Sequence, residues 1–154
     1  MLVTIFDNRS KTKVDEGMLE EIESFMTRTL LHEEIGVECE ISYSFVDGEE
    51  IKALNAEYRG KDQVTDVLSF PMHENFLDNK EAIIKIAGEH PILLGDVIIN
   101  TDQAKAQGDE FGHGFAREIC YLSVHSVLHL LGYDHLEDED KREMREVEKD
   151  IMGD

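Results

Sequence analysis

The sequence predicts a single α/β or α+β domain folded around one sheet, and three observations carry that prediction. Segments of period-two hydrophobic alternation take turns with segments whose apolar residues recur at helical spacing. At 154 residues the chain can bury a core of its own without staples, yet it needs no second domain, so residues 1–154 are read as one unit. It shows no internal repeat, no low-complexity tract and no Pro/Gly/Ser linker; its only prolines are Pro71 and Pro91.

Taken in order, Leu2 to Phe6 suits a first strand. Val14 to Leu31 sets Met18, Ile22, Phe25, Met26 and Thr29 on one face, the signature of an amphipathic helix. Cys39, Ile41, Tyr43 and Phe45 alternate with Glu40, Ser42 and Ser44, which predicts a half-buried strand. Asp47 followed by Glu50 resembles an acidic capping box, opening a helix that buries Ile51, Leu54 and Tyr58. Arg59 to Thr65 reads as a polar loop and Asp66 to Phe70 as a short strand ended by Pro71. His73 to His90 carries no clear period. Ile92 to Asn100 reads as a buried strand broken at Gly95-Asp96, and Thr101 as the cap of a short helix that fades near Gly108. Phe115 to Leu131 has the length and period of a long buried helix, stopped by Gly132 in a C-terminal capping role. The last helix opens on Glu137-Asp138-Glu139-Asp140, which suits the positive end of a helix dipole, and its stripe is Met144, Val147 and Ile151.

Composition narrows the function. Thirty-five acidic against fifteen basic residues give a formal net charge of −20, opposite to the basic footprint usual in phosphate-backbone binding. The plain reading is solubility through self-repulsion; a nucleic-acid substrate would require a local basic patch, a metal or a partner to hold it. No stretch approaches the roughly 20 apolar residues of a membrane span. The N-terminus lacks the pattern of a signal peptide, and two distant cysteines, Cys39 and Cys120, make no disulfide framework. These features predict a cytoplasmic protein without membrane association.

The chemistry concentrates at three histidines. His125 and His129 stand four apart on the long helix, so they share one face within roughly 40° and one turn of each other. The helix ends at Gly132, and the turn through Tyr133 and Asp134 delivers His135. Three nitrogen ligands with an open fourth position is the catalytic zinc arrangement, whereas structural zinc sites usually close with four. The site is therefore predicted at His125, His129 and His135, with zinc favoured because imidazole suits it. Ser126 follows the first histidine where the H-E-x-x-H peptidase motif has its glutamate base, so peptide hydrolysis by that route is excluded. Asp134 either orients a ligand histidine or caps the turn; Cys120 reads as core, and His113 is a remote further ligand. A second candidate is the loop around Arg59 and Lys61, an island of positive charge in an acidic chain. Composition alone makes these surface charges, though arginine's planar fork can grip a phosphate.

Leu54-Asn55, Tyr58-Arg59, Thr65-Asp66-Val67-Leu68-Ser69-Phe70-Pro71, Leu94-Gly95-Asp96-Val97 and the run from His125 to His135 together resemble the bacterial YbeY family. Its members are metal-dependent endoribonucleases of ribosomal RNA maturation. The resemblance implies a mixed sheet, here of about four strands, with packed helices and the metal site on the long helix and its following turn. It implies a zinc site at His125, His129 and His135 and an arginine, matching Arg59, needed for RNA cleavage, so that Arg59 and His125 carry the catalysis. It also implies a single-stranded or ribosomal RNA substrate, which the charge of −20 suggests is presented by ribosomal subunits or a protein partner. Ser126 departs from the glycine most common in the family. From the residues alone, a hydrolase of a small ester or amide and an assembly factor braced by zinc also fit the pattern.

Overall fold

The computed structural model describes residues 2–134 and 136–153. Four strands, β1 (Leu2–Asn8), β2 (Cys39–Val46), β3 (Val67–Pro71) and β4 (Ile92–Asn100), form one mixed sheet in the order β1-β2-β4-β3. The β1–β2 and β2–β4 pairs are parallel and β3 runs antiparallel to β4, which is the mixed four-stranded sheet expected. Among the described residues six helices accompany it: α1 (Glu16–His32), α2 (Gly48–Arg59), α3 (Lys80–Ala87), α4 (Thr101–Phe111), α5 (Gly114–Leu130) and α6 (Asp138–Met152).

The alternation in β2 does what its period demands. Cys39, Ile41, Tyr43 and Phe45 are buried, joining Ile22, Phe25 and Met26 of α1 and Ile119, Leu122 and Val127 of α5 in the main core. On the opposite face Val46 and Leu68 meet Ile51 of α2, with Leu54, Phe70 and Ile98 packed around them. The helix α5 is therefore enclosed almost throughout. Beyond its first three residues its less buried positions are Arg117, Tyr121, His125 and His129, a stripe at four-residue intervals on the side turned from the core.

Several boundaries differ from the sequence expectation for identifiable reasons. The acidic capping box does not form: Asp47 sits at the N-cap without a side-chain cap bond, the Gly48 amide donates to Asp102 (2.9 Å), and Glu50 pairs with Arg9. Tyr58 is not buried but 63% exposed, and its ring meets Phe70 in a T-shaped contact with centres 5.7 Å apart. Arg59 closes α2 and does not open the loop. Gly95 does not break β4; it lies at a bulge where Leu94 is the extra residue opposite Glu40 and Ile41, so the strand continues. The cap of α4 is Asn100, whose side chain accepts from the Gln103 amide, while Thr101 donates to the Val46 carbonyl. That helix runs through Gly108 to Phe111, because Gly108 is where α4 meets α5: a Cβ there would stand 2.5 Å from the Gly114 carbonyl oxygen. In the illegible stretch from His73 to His90, a 3-10 turn at Leu77–Asn79 leads into α3, and Phe76 is fully buried.

Candidate metal centre and cleft

The two helix histidines converge. His125 Nε2 and His129 Nε2 stand 3.1 Å apart, with ring centroids 4.6 Å apart and nearly perpendicular planes. Each ring is held from behind by an oxygen acceptor. His129 Nδ1 donates to the backbone carbonyl of Tyr133 (2.9 Å), and His125 Nδ1 hydrogen-bonds the Glu148 carboxylate (3.2 Å).

The first of these bonds follows from how α5 ends. The Tyr133 amide donates to the Leu128 carbonyl (3.0 Å) and the Gly132 amide to the His129 carbonyl (3.1 Å), the paired bonds of a Schellman cap. Gly132 supplies the positive φ of 111° that this turn requires. The cap folds the chain back so that Tyr133 presents its carbonyl to the histidine one turn earlier, while the Tyr133 hydroxyl is anchored on Glu33 at the end of α1 (2.5 Å). The same turn leads towards His135, the third expected ligand, which lies outside the described residues.

A metal ion fits this donor pair. Carbonyls and carboxylates only accept, so both Nδ1 atoms carry the proton and both Nε2 lone pairs face each other. At 3.1 Å two such lone pairs repel unless a cation lies between them. Two imidazole nitrogens at 2.0–2.1 Å from one tetrahedral zinc stand roughly 3.3 Å apart, close to the spacing seen. Among the described residues no group of three or more candidate ligands is gathered. His113 is not brought to the pair; it bonds Glu118 (2.8 Å), a buried carboxylate that also accepts from Gln107. Cys120 is buried in the core, where desolvation pushes its thiol up to about 12. Asp134 accepts from the Leu136 amide (3.3 Å), so it braces the turn.

His125 and His129 line one wall of a cleft of about 480 Å³ whose other wall is the end of α2, the following loop and β3. Arg59 lies in that opposite wall. Its Nη2 donates to the Ser69 carbonyl (2.8 Å) and its guanidinium stands 5.5 Å from the Phe70 ring centre, so the fork is aimed by two contacts. Asn55 is buried and donates to the Gln63 carbonyl (3.0 Å), fastening the loop that carries Lys61. The lining carries two cations, Arg59 and Lys61, against one carboxylate, Asp66, in a chain whose net charge is −20. A smaller hollow beside the ligand turn, lined by Asp78, Asp134, Asp140 and Glu143, is acidic and suits no anion. Desolvation, with repulsion from Asp134 added to it, raises the Asp140 carboxyl.

The sequence predicts for the last helix an acidic first turn and an apolar stripe, and Glu148 belongs to neither. A signal was present: Glu148 follows Met144 by four and precedes Ile151 by three, so it shares the inward face.

Comparison with known proteins agrees with this architecture. A family model described as Endoribonuclease YbeY matches residues 4–154. The protein named Endoribonuclease YbeY of Caldanaerobacter subterraneus subsp. tengcongensis is 49% identical over 149 residues, covering 96% of this chain and 94% of the relative. The protein of that name from Clostridium botulinum (strain Loch Maree / Type A3) is 42% identical over 159 residues, covering 98% and 96%. A Thermotoga maritima protein solved in solution superposes with a TM-score of 0.63 at 27% identity, over 99% of this chain and 87% of that one.

Proposed function

Because the chain belongs to the YbeY endoribonuclease family, we propose that it is a zinc-dependent endoribonuclease of single-stranded RNA acting in ribosomal RNA maturation and ribosome quality control. The observation that carries the reading is one cleft with two converging imidazoles on one wall and an aimed guanidinium on the other. His125, His129 and His135 are the proposed ligands, and Arg59 the proposed clamp on the scissile phosphate. Zinc held there would either lower the pKa of a bound water towards ~7 or polarise a phosphoryl oxygen.

The protein's own residues supply the rest. Arg59 has one Nη2 hydrogen committed to Ser69, which leaves the remaining donors of its fork for phosphate oxygens. Lys61 adds a second cation to the same wall. The acidic body opposes long-range capture of RNA, so the strand is best presented by ribosomal subunits or a protein partner in the cytoplasm. No helix is long and apolar enough to cross a membrane among the described residues.

The test is cleavage of a defined single-stranded RNA by metal-free and zinc-restored protein, with product ends identified and small esters and amides assayed in parallel. Zinc-restored activity on RNA alone is expected. His129→Ala, which leaves a single imidazole of the converging pair, should lose most of its zinc by elemental analysis and all of the restored activity. Turnover by the metal-free protein, or full zinc occupancy in His129→Ala, would refute the assignment.

A further inference from the structure

We infer that Glu148 is a positioning residue for the metal centre: its buried carboxylate, on the back of His125, fixes that ring's tautomer and strengthens it as a zinc ligand. The inference rests on the metal reading above and adds α6 to the site.

Glu148 is 5% exposed, although α6 needs nothing charged there for packing; Met144, Ile151 and Met152 already seat the helix. Burying a carboxylate is costly unless it is paired and hydrogen-bonded. Its pairing is specific. Oε2 meets His125 Nδ1 at 3.2 Å. The Tyr121 ring in turn lies against the His125 ring at 6.1 Å between centres. Tyr121 and His125 thus stand side by side on α5, four residues apart, and the carboxylate from α6 bonds the histidine.

The consequence for His125 follows from acceptor chemistry. A carboxylate holds the proton on Nδ1 and leaves the Nε2 lone pair directed at His129 Nε2, 3.1 Å away. Free imidazole has no such compulsion, and a ring with its proton on Nε2 cannot bind the ion through that nitrogen. The two described ligands therefore differ. His129 is backed by the neutral carbonyl of Tyr133, whereas His125 is backed by a full negative charge and is the stronger donor. Removing outer partners of this kind typically weakens metal binding 10- to 100-fold.

The experiment measures zinc affinity by competition with a chromophoric chelator for wild type, Glu148→Gln, Glu148→Ala and Tyr121→Phe, together with the melting temperature of each zinc-free protein. Glu148→Gln keeps an oxygen that can accept from Nδ1 but removes the charge; we expect zinc binding about 10-fold weaker or more. Glu148→Ala should weaken it further. Tyr121→Phe, which leaves the Glu148–His125 contact in place, should change it by less than about 3-fold. Nitrogen-15 spectra of the zinc-free proteins give a second readout: His125 should be the Nδ1–H tautomer in wild type and a mixture in Glu148→Ala. A residue that merely anchors α6 would lower the melting temperature of the zinc-free protein and leave both readouts unchanged in the folded variants. Wild-type zinc affinity in folded Glu148→Gln and Glu148→Ala, with an unaltered tautomer, would overturn the inference. None of these measurements uses RNA. Wild type that binds zinc but fails to cleave RNA would sink the functional reading and leave this one standing.

Discussion

Arg59→Ala separates a catalytic clamp from a surface charge, and the structure sets the size of both expected effects. In the folded protein Arg59 makes one charged hydrogen bond to the Ser69 carbonyl and one ring contact with Phe70, and it is otherwise exposed. Losing a solvent-exposed bond of that kind costs about 1 kcal/mol, which lowers the melting temperature by roughly 2–4 °C in a domain of this size. The zinc content should not change, because Arg59 sits on the wall opposite His125 and His129. The rate should change far more. A donor aimed at charge that builds in the transition state contributes on the order of 10²–10³, or about 3–4 kcal/mol. Arg59→Lys should recover only part of the loss, since a point charge that reaches a phosphate cannot also reproduce the fork held on Ser69. Single-turnover cleavage rates of the three proteins, each with measured zinc content and melting temperature, read these quantities separately. If Arg59→Ala cleaves at the wild-type rate with zinc bound, the clamp is refuted, whatever the state of the histidines.

Three other outcomes test other links. Gly95→Ala places a Cβ 2.2 Å from the Phe70 carbonyl oxygen and 3.0 Å from Leu130, at a φ of 141°, so β3 and β4 must part. A loss on the order of 3 kcal/mol is expected in urea unfolding, and an unchanged midpoint would contradict the close approach. Ser126→Ala should raise stability by about 1 kcal/mol, because its buried hydroxyl has no hydrogen-bond partner among the described residues; a lower melting temperature of the zinc-loaded protein would show that the hydroxyl is satisfied. Cleavage of bare RNA should rise as salt goes from about 0.01 to 0.1 M, since screening first removes repulsion from the distant acidic body; a monotonic fall would mean that attraction dominates throughout.

The contrast between the cleft and the rest of the surface gives the net charge a functional sense. Local contacts in the cleft, two cations against one carboxylate, act within a few ångströms and are only weakly screened. The excess of acids acts over a Debye length and opposes any strand not already aligned with the cleft. A protein built this way has low affinity for RNA in general. On the proposed function it would cleave where another body holds a single strand against the Arg59 wall, so that discrimination would come from presentation more than from binding strength.

The fold was legible wherever one residue's burial decides its neighbour's. Period two in β2 and period 3.6 in α1 and α5 are consequences of a one-sided core, and they can be read without knowing which element supplies the other side. The pair His125 and His129 was legible for the same reason: helix geometry alone brings them to one face. Arg59 and the histidines were legible separately, but not as the two walls of one cleft. That juxtaposition depends on β3 returning antiparallel beside β4, and nothing in the letters from Thr65 to Pro71 sets the strand's direction. The acidic capping box failed because both of its side chains are drawn elsewhere: Asp47 accepts from the Lys11 amide and Glu50 from Arg9, residues far along the chain. Glu148 and Glu118 were hidden in a deeper way. In a chain with thirty-five acids, almost any glutamate on a helix reads as solvated. What distinguishes these two is the crossing of α5 with α6 and with α4, which removes water from one side and leaves a histidine ring as a hydrogen-bond partner. Sequence period can say that position 148 faces inward. Only the packed helices say that it faces His125.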